Sequence, residues 1–226
     1  MQRKIQVAGW SLIWSGVFVL GYLAWQLYGT DLVNARVQDR AQDELVVRIE
    51  TSREDPPEVV EVVPEDAPPE EPPIEYHTEE PPVPDEGFAF ITVPTLGLEV
   101  VVFEGVDGST LEKGPGHMPG TPLPGQPGNS VISGHRTTYG RPFHDFDRLE
   151  PGDVIEVETN IGTHVYEVRE LFIVQPTDVW VTDDKEGGWL TLTTCNPKYS
   201  ARERLIVSAE LVSGPNLAYI EYLSRI

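Results

Sequence analysis

The sequence predicts an all-β fold, a single closed or nearly closed β-barrel, and three observations point to it. From residue 88 onward the chain breaks into short runs rich in β-branched and aromatic residues, separated by Gly, Pro, Asn and Asp. Helical periodicity is nearly absent across the same region, as expected of a barrel whose strands follow one another closely. The chain holds a single cysteine, Cys195, so no intramolecular disulfide braces the fold and packing must do so. The expected strands are 88–93, 98–104, 129–135, 153–158, 165–174, 189–195 and 204–211, with short helical turns at 109–113 and 143–149.

The barrel domain is expected over 87–212, followed by a tail at 213–226 and preceded by three segments of different character. Residues 7–28 carry no charge over 22 positions, enough at about 1.5 Å per residue to cross a hydrocarbon core of about 30 Å. Residues 1–29 therefore predict a short stub and a transmembrane helix. Arg3 and Lys4 before it and Asp31 after it orient the amino terminus toward the cytoplasm and the remainder outside. A cleaved signal peptide is the competing reading, but the apolar stretch is long for one and no A-x-A site follows it. Residues 30–49 scatter apolar positions among charges and are expected to carry the helix outward from the membrane as a juxtamembrane segment. Residues 50–86 hold 10 of the 21 prolines, 14 acidic side chains and one basic one. That composition predicts a disordered, extended spacer, dispensable for chemistry, that sets the reach of the domain beyond it. The net charge of −21 disfavours any grip on nucleic acid phosphates.

Alternation along 189–195 puts Leu190 and Leu192 on one face and Thr191, Thr193 and Cys195 on the other. An eight-residue loop, 196–203, then leads to the strand beginning at Arg204, whose apolar face is Leu205, Val207, Ala209 and Leu211. Strands joined in this way are expected to pair antiparallel, bringing the Cys195 thiol and the Arg204 guanidinium to one end and one face. His135 ends the strand 129–135. On spacing alone it competes with His77, His117, His144 and His164, and a lone cysteine or arginine is as readily a packed or solvated residue as a chemical one.

The run Gly134-His135-Arg136, the strand Thr191-Leu192-Thr193-Thr194-Cys195 and the strand Arg204-Leu205-Ile206-Val207 stand in the order that sortases show, and Gly114-Pro115-Gly116-His117 with Gly128-Asn129-Ser130 adds to the likeness. Over about residues 88–212 the chain resembles the sortase family of cysteine transpeptidases. Its stretch 195–204 is most similar to class E sortases of Gram-positive actinobacteria. The resemblance implies a sortase-like barrel of about seven to eight strands and a site of Cys195, His135 and Arg204, with no cofactor and no metal. It also implies cleavage of a sorting motif of the Leu-Ala-x-Thr-Gly or Leu-Pro-x-Thr-Gly kind between Thr and Gly, through a thioacyl-enzyme. The implied partners are secreted proteins bearing that signal and a lipid-linked peptidoglycan precursor as amine acceptor, met by an enzyme in the cell membrane with its catalytic domain outside.

Three other readings compete. A metal-dependent hydrolase would draw on His117, His135 and His144, but no HExxH or closely spaced ligand pair is present. An L,D-transpeptidase would show a Ser-His-Gly-Cys run, which Thr193-Thr194-Cys195 lacks. A non-catalytic adhesion or sensor module on a stalk would tolerate loss of Cys195.

Overall fold

The structure, a computed structural model, describes residues 2–25, 29–54, 57–63 and 73–225. Eight strands close into one barrel in the order β10–β8–β7–β3–β4–β5–β6–β9, sealed where β9 meets β10. These are β3 (Gly87–Val93), β4 (Leu98–Glu104), β5 (Gly116–His117), β6 (Gly128–Ser133), β7 (Val154–Thr159), β8 (Gly162–Val174), β9 (Gly188–Asn196) and β10 (Glu203–Ser213). All seven expected strands are present; the eighth, β5, is two residues long and too short to leave a pattern in the sequence. The pairs β4–β5 and β6–β9 are parallel and the others antiparallel. The expected strand at 129–135 stops at Ser133, which leaves His135 two residues beyond it in the following loop.

The core lies inside the barrel and includes Phe88, Ile91, Ile132, Ile155, Tyr166, Leu190, Leu192 and Val207. Phe143 and Phe146 close one end, their rings stacked at 4.1 Å, with Phe146 in a 3-10 turn at Phe146–Arg148. Each such side chain contributes about 1.5–3 kcal/mol by leaving water. The other expected helical turn is α3 (Gly108–Leu111), capped by Asp107, which accepts from the backbone N–H of Ser109 and Thr110.

The segments before the barrel differ from their expectation. Helix α1 (Gln2–Ala24) covers most of the uncharged stretch 7–28, of which residues 26–28 lie outside the described residues. Among the described residues no helix is long and apolar enough to cross a membrane. Helix α2 (Thr30–Glu54) runs past the expected boundary at 49 and docks on the barrel along β3 and β4. Its positions Val37, Ala41, Leu45 and Ile49 recur every four residues and cover Phe90, Val101 and Phe103 on the outer face of β3 and β4.

The expected disordered spacer is likewise corrected where it is described. Strands β1 (Val59–Val62) and β2 (Ile74–His77) pair antiparallel, and β2 is tied to the barrel. Buried Asn216 accepts from the His77 N–H at 2.8 Å and donates to the carbonyls of His77 and Gly125 at 3.1 Å. Tyr76 packs its ring on Tyr219 of α4 (Leu217–Leu223), so the tail after 212 is also in contact with the folded domain. Proline blocks regular interiors, but it does not prevent an edge segment from binding through single side chains.

Candidate active site

Strands β9 and β10 pair with Cys195 directly opposite Arg204, because the register set by Leu190–Ala209 and Leu192–Val207 runs unbroken to the strand ends. Leu190, Leu192 and Thr194 are buried in the barrel, and Cys195 is on the opposite face, half-buried. The outward face of β10 is covered at one point as well: Ile206 packs with Val174 at the end of β8 and with Val181 in the segment that follows. That segment, with its 3-10 turn at Val179–Thr182, forms one wall of a groove of about 290 Å³. Cys195, His135 and Arg204 all line the groove, with Met118, Val174, Val179, Val181 and Ile206 giving it an apolar wall.

His135 reaches the groove from the loop after β6. The preceding Gly134 is fixed from both sides: its N–H donates to Thr193 O at 3.1 Å, and its own carbonyl accepts from the Thr194 hydroxyl at 2.7 Å. A Cβ at Gly134 would lie 2.6 Å from the Phe143 ring, so only glycine lets the chain pass there. His135 O accepts from the Phe143 N–H at 3.1 Å, and its ring lies against Tyr139 with centroids 5.0 Å apart. Burial holds its imidazole below the ordinary pKa, an effect the Glu112 carboxylate partly opposes. Arg204 donates from Nη1 to the carbonyls of Ala201 and Glu203, both at 3.0 Å. Arg202 is exposed on the loop and is absent from the groove wall.

The other histidines are placed elsewhere. His117 is buried with Nδ1 2.7 Å from Glu104 Oε2, and its Nε2 lies 3.0 Å from both Pro122 O and Thr121 Oγ1. His144 Nδ1 is 2.8 Å from Arg136 O. His164 lies within β8 on its buried face, its pKa lowered to about 4 by burial and then by His77. Among the described residues no cluster of three metal-ligating side chains occurs.

In the sequence Arg136 stands only as the third member of Gly134-His135-Arg136, yet beside the groove it holds four partners: His144, Cys195, Asn196 and Asp147. It is 3% exposed. Its Nη1 donates to Cys195 O at 3.2 Å and to Asn196 Oδ1 at 2.7 Å, while Nη2 pairs with Asp147 at 3.0 Å. One side chain next to His135 thus fixes the backbone of the cysteine. A buried guanidinium with its fork filled is costly to place and costly to disturb. The only signal in the sequence is an arginine between apolar strands with Asp147 downstream, which periodicity does not connect.

A family model for the sortase domain matches residues 91–212. Among curated proteins, Sortase SrtE1 of Streptomyces coelicolor is 35% identical over 145 residues, covering 57% of this chain and 41% of that one. The chain spans about half the length of the curated relatives it matches. Among solved structures, Sortase E1 from Streptomyces coelicolor with a tripeptide in the active site is 34% identical, with a TM-score of 0.55, over 57% of this chain and 90% of that one. A Clostridium perfringens Sortase D5 transpeptidase is 25% identical, with a TM-score of 0.61, over 79% of this chain and 99% of that one.

Proposed function

The chain belongs to the sortase family, and from that premise we propose that it is a membrane-anchored cysteine transpeptidase whose reacting groups are Cys195, His135 and Arg204. The register that sets Cys195 opposite Arg204, in a groove that His135 also lines, carries the reading. The Cys195 sulfur attacks the carbonyl carbon of a peptide bond, the C–N bond breaks and a thioester forms. An imidazole held below its ordinary pKa is neutral near pH 7, fit to take the thiol proton as the peptide binds and to hand it to the departing amine. His135 then takes a proton from the incoming amine, which attacks the thioester and frees the thiol. With Nη1 of Arg204 engaged by loop carbonyls, its remaining donors are those that a peptide carbonyl or an oxyanion would meet.

The substrate we infer is a secreted protein with a sorting motif of the Leu-Ala-x-Thr-Gly or Leu-Pro-x-Thr-Gly kind, and the apolar wall of Met118, Val174, Val181 and Ile206 suits its leucine. The acceptor we infer is an amine of the lipid-linked peptidoglycan precursor. Anchoring rests on the uncharged stretch 7–28 and on the exposed large apolar side chains of α1, among them Trp10, Leu12, Trp14, Phe18 and Leu20. Burying such side chains in lipid satisfies them where water does not.

The test is a mass measurement of the full chain incubated with a Leu-Ala-x-Thr-Gly peptide. An acyl adduct on Cys195 is expected, absent in Cys195→Ala, and Arg204→Lys should lower its rate of formation roughly 100- to 1,000-fold. Cleavage that persists in Cys195→Ala would sink the assignment.

A further inference from the structure

We infer that the amino-terminal turns of α2 are a positioning element for His135, fastening the loop that holds its ring. The inference rests on the role given to His135 above. It begins from the backbone of that loop: Tyr139, Gly140 and Arg141 have φ of +53°, +75° and +52°, three successive residues in the left-handed region. Tyrosine and arginine adopt that region at a cost, and a run of this kind persists only where its surroundings hold it.

The surroundings are α2. Asp31 Oδ1 accepts from the Gly140 N–H at 2.9 Å, and its other oxygen lies 3.7 Å from Arg141 Nε. Asn34 is 7% exposed, and a Cβ on Gly140 would fall 2.2 Å from its Oδ1, so the helix and the loop touch without room for a methyl group. Asn34 Nδ2 donates to the carbonyls of Glu112 and Lys113 at 2.9 and 2.8 Å. Glu112 in turn accepts the Tyr139 hydroxyl, which raises the pKa of that phenol, and Tyr139 lies against the imidazole. Two routes therefore run from one helix end to His135, one through the backbone at Gly140 and one through Glu112 and Tyr139.

His135 stands two residues past its strand, and without the Tyr139 face its ring would be free to turn. The groups that face it are Glu112 from the end of α3, Tyr139 from its own loop, and Asp178, Cys195 and Arg204 along the groove. Because α2 begins directly after the segment read as the anchor, the base and the membrane-proximal end of the molecule are joined by contact.

The test follows the His135 ring by NMR in the full chain in detergent, with labelled histidine, alongside peptide transfer kinetics. In Asp31→Ala combined with Asn34→Ala, the His135 titration midpoint should rise by about half a pH unit or more as water reaches the ring. In the same variant kcat should fall about tenfold with KM within about twofold. Asp31→Asn keeps an acceptor for Gly140 and should restore most of both. Arg48→Ala, which removes contacts to Gly87 and Glu86 on the far part of α2, should change neither. Parent-like midpoint and kcat in the double variant, or equal changes in Arg48→Ala, would overturn the inference. A midpoint that moves in a parent lacking acyl transfer would leave the positioning intact and sink the proposed function instead.

Discussion

The groove lined by Cys195 measures about 290 Å³, whereas a second groove beyond Thr182, lined by Tyr76, Glu79, Glu104, His117 and Asp184, measures about 880 Å³. Thr182 touches both, so the two grooves meet at the end of the turn Val179–Thr182. Volume alone would choose the larger. Its histidine, however, has both ring nitrogens engaged, by Glu104 on one side and by Pro122 and Thr121 on the other. His135 in the smaller groove is half-buried beside a thiol and a guanidinium. A titratable group whose positions are all filled holds structure together; one left with capacity in a partly desolvated groove can exchange a proton with a substrate.

Exchanging the two histidines tests that contrast most sharply. His135→Ala should lower kcat/KM at least about 100-fold, the usual worth of a placed acid and base, with the thermal midpoint little changed. His117→Ala should do the opposite. It strands Glu104 in a buried position and should cost about 1–3 kcal/mol of stability while transfer per folded molecule stays within about threefold. Thermal unfolding and peptide transfer on both variants decide it, and a catalytic collapse in His117→Ala with native stability would move the chemistry to the larger groove.

A smaller effect is expected at Arg136, whose guanidinium joins the His135 loop to the backbone of Cys195 and Asn196. Arg136→Lys offers a single ammonium where two directions of donor are used, so the cysteine carbonyl and Asp147 are not both held. Transfer should fall roughly 10- to 100-fold in kcat with KM nearly unchanged, since the misplacement is of the proposed nucleophile and not of the apolar wall proposed to hold the peptide. Parent kinetics in Arg136→Lys, measured where it is fully folded, would reduce the arginine to a packing role.

The parts of the molecule that were legible in the sequence are those in which period-two alternation and a short loop determine geometry together. The pairing of Cys195 with Arg204 follows from the parity of Leu190 and Leu192 on one strand and of Leu205 and Val207 on the next, and it is found in that register. What escaped was the contacts that the segments before the barrel make with it. Helix α2 reads as scattered apolar residues unless Asn34, Gln38 and Arg48 are counted with Val37, Ala41, Leu45 and Ile49 as one stripe. Its polar members bind the barrel through backbone carbonyls and amides, and hydropathy scores them as solvent-facing. The cue was on the partner strand: Phe88-Ala89-Phe90-Ile91 is apolar without alternation, so its outer face needed a cover. The acidic spacer misled for a related reason, because proline and carboxylate content describes the average of 50–86 while Tyr76, His77 and Glu79 act singly.

Glu79 supplies the mildest test of the contrast between the grooves, since it lies on the wall of the larger one yet titrates. Its Oε1 accepts from the Asn160 N–H at 3.1 Å, while Oε2 is buried with no hydrogen-bond partner among the described residues. Burial raises its pKa to about 7, against the opposing pull of hydrogen bonds from Asn160 and Thr159. A carboxyl whose folded pKa lies above its unfolded value of 4.5 favours the folded state when protonated, so its penalty is absent below about pH 4.5 and grows as pH rises to about 7. His164, which shares the Thr159 hydroxyl at 3.2 Å, works the other way: its folded pKa near 4 makes the folded state lose stability as pH falls from 6.5 toward 4. The two slopes oppose each other, and the parent should be nearly flat between them. Glu79→Gln removes one. The variant should be more stable than the parent by about 1–3 kcal/mol at pH 8 and should weaken on acidification where the parent does not. Denaturant unfolding at pH 5, 6, 7 and 8 measures both curves. Parallel curves at every pH would mean that the segment after β2, which carries Glu79, leaves its carboxylate in water, and that this wall of the larger groove is open.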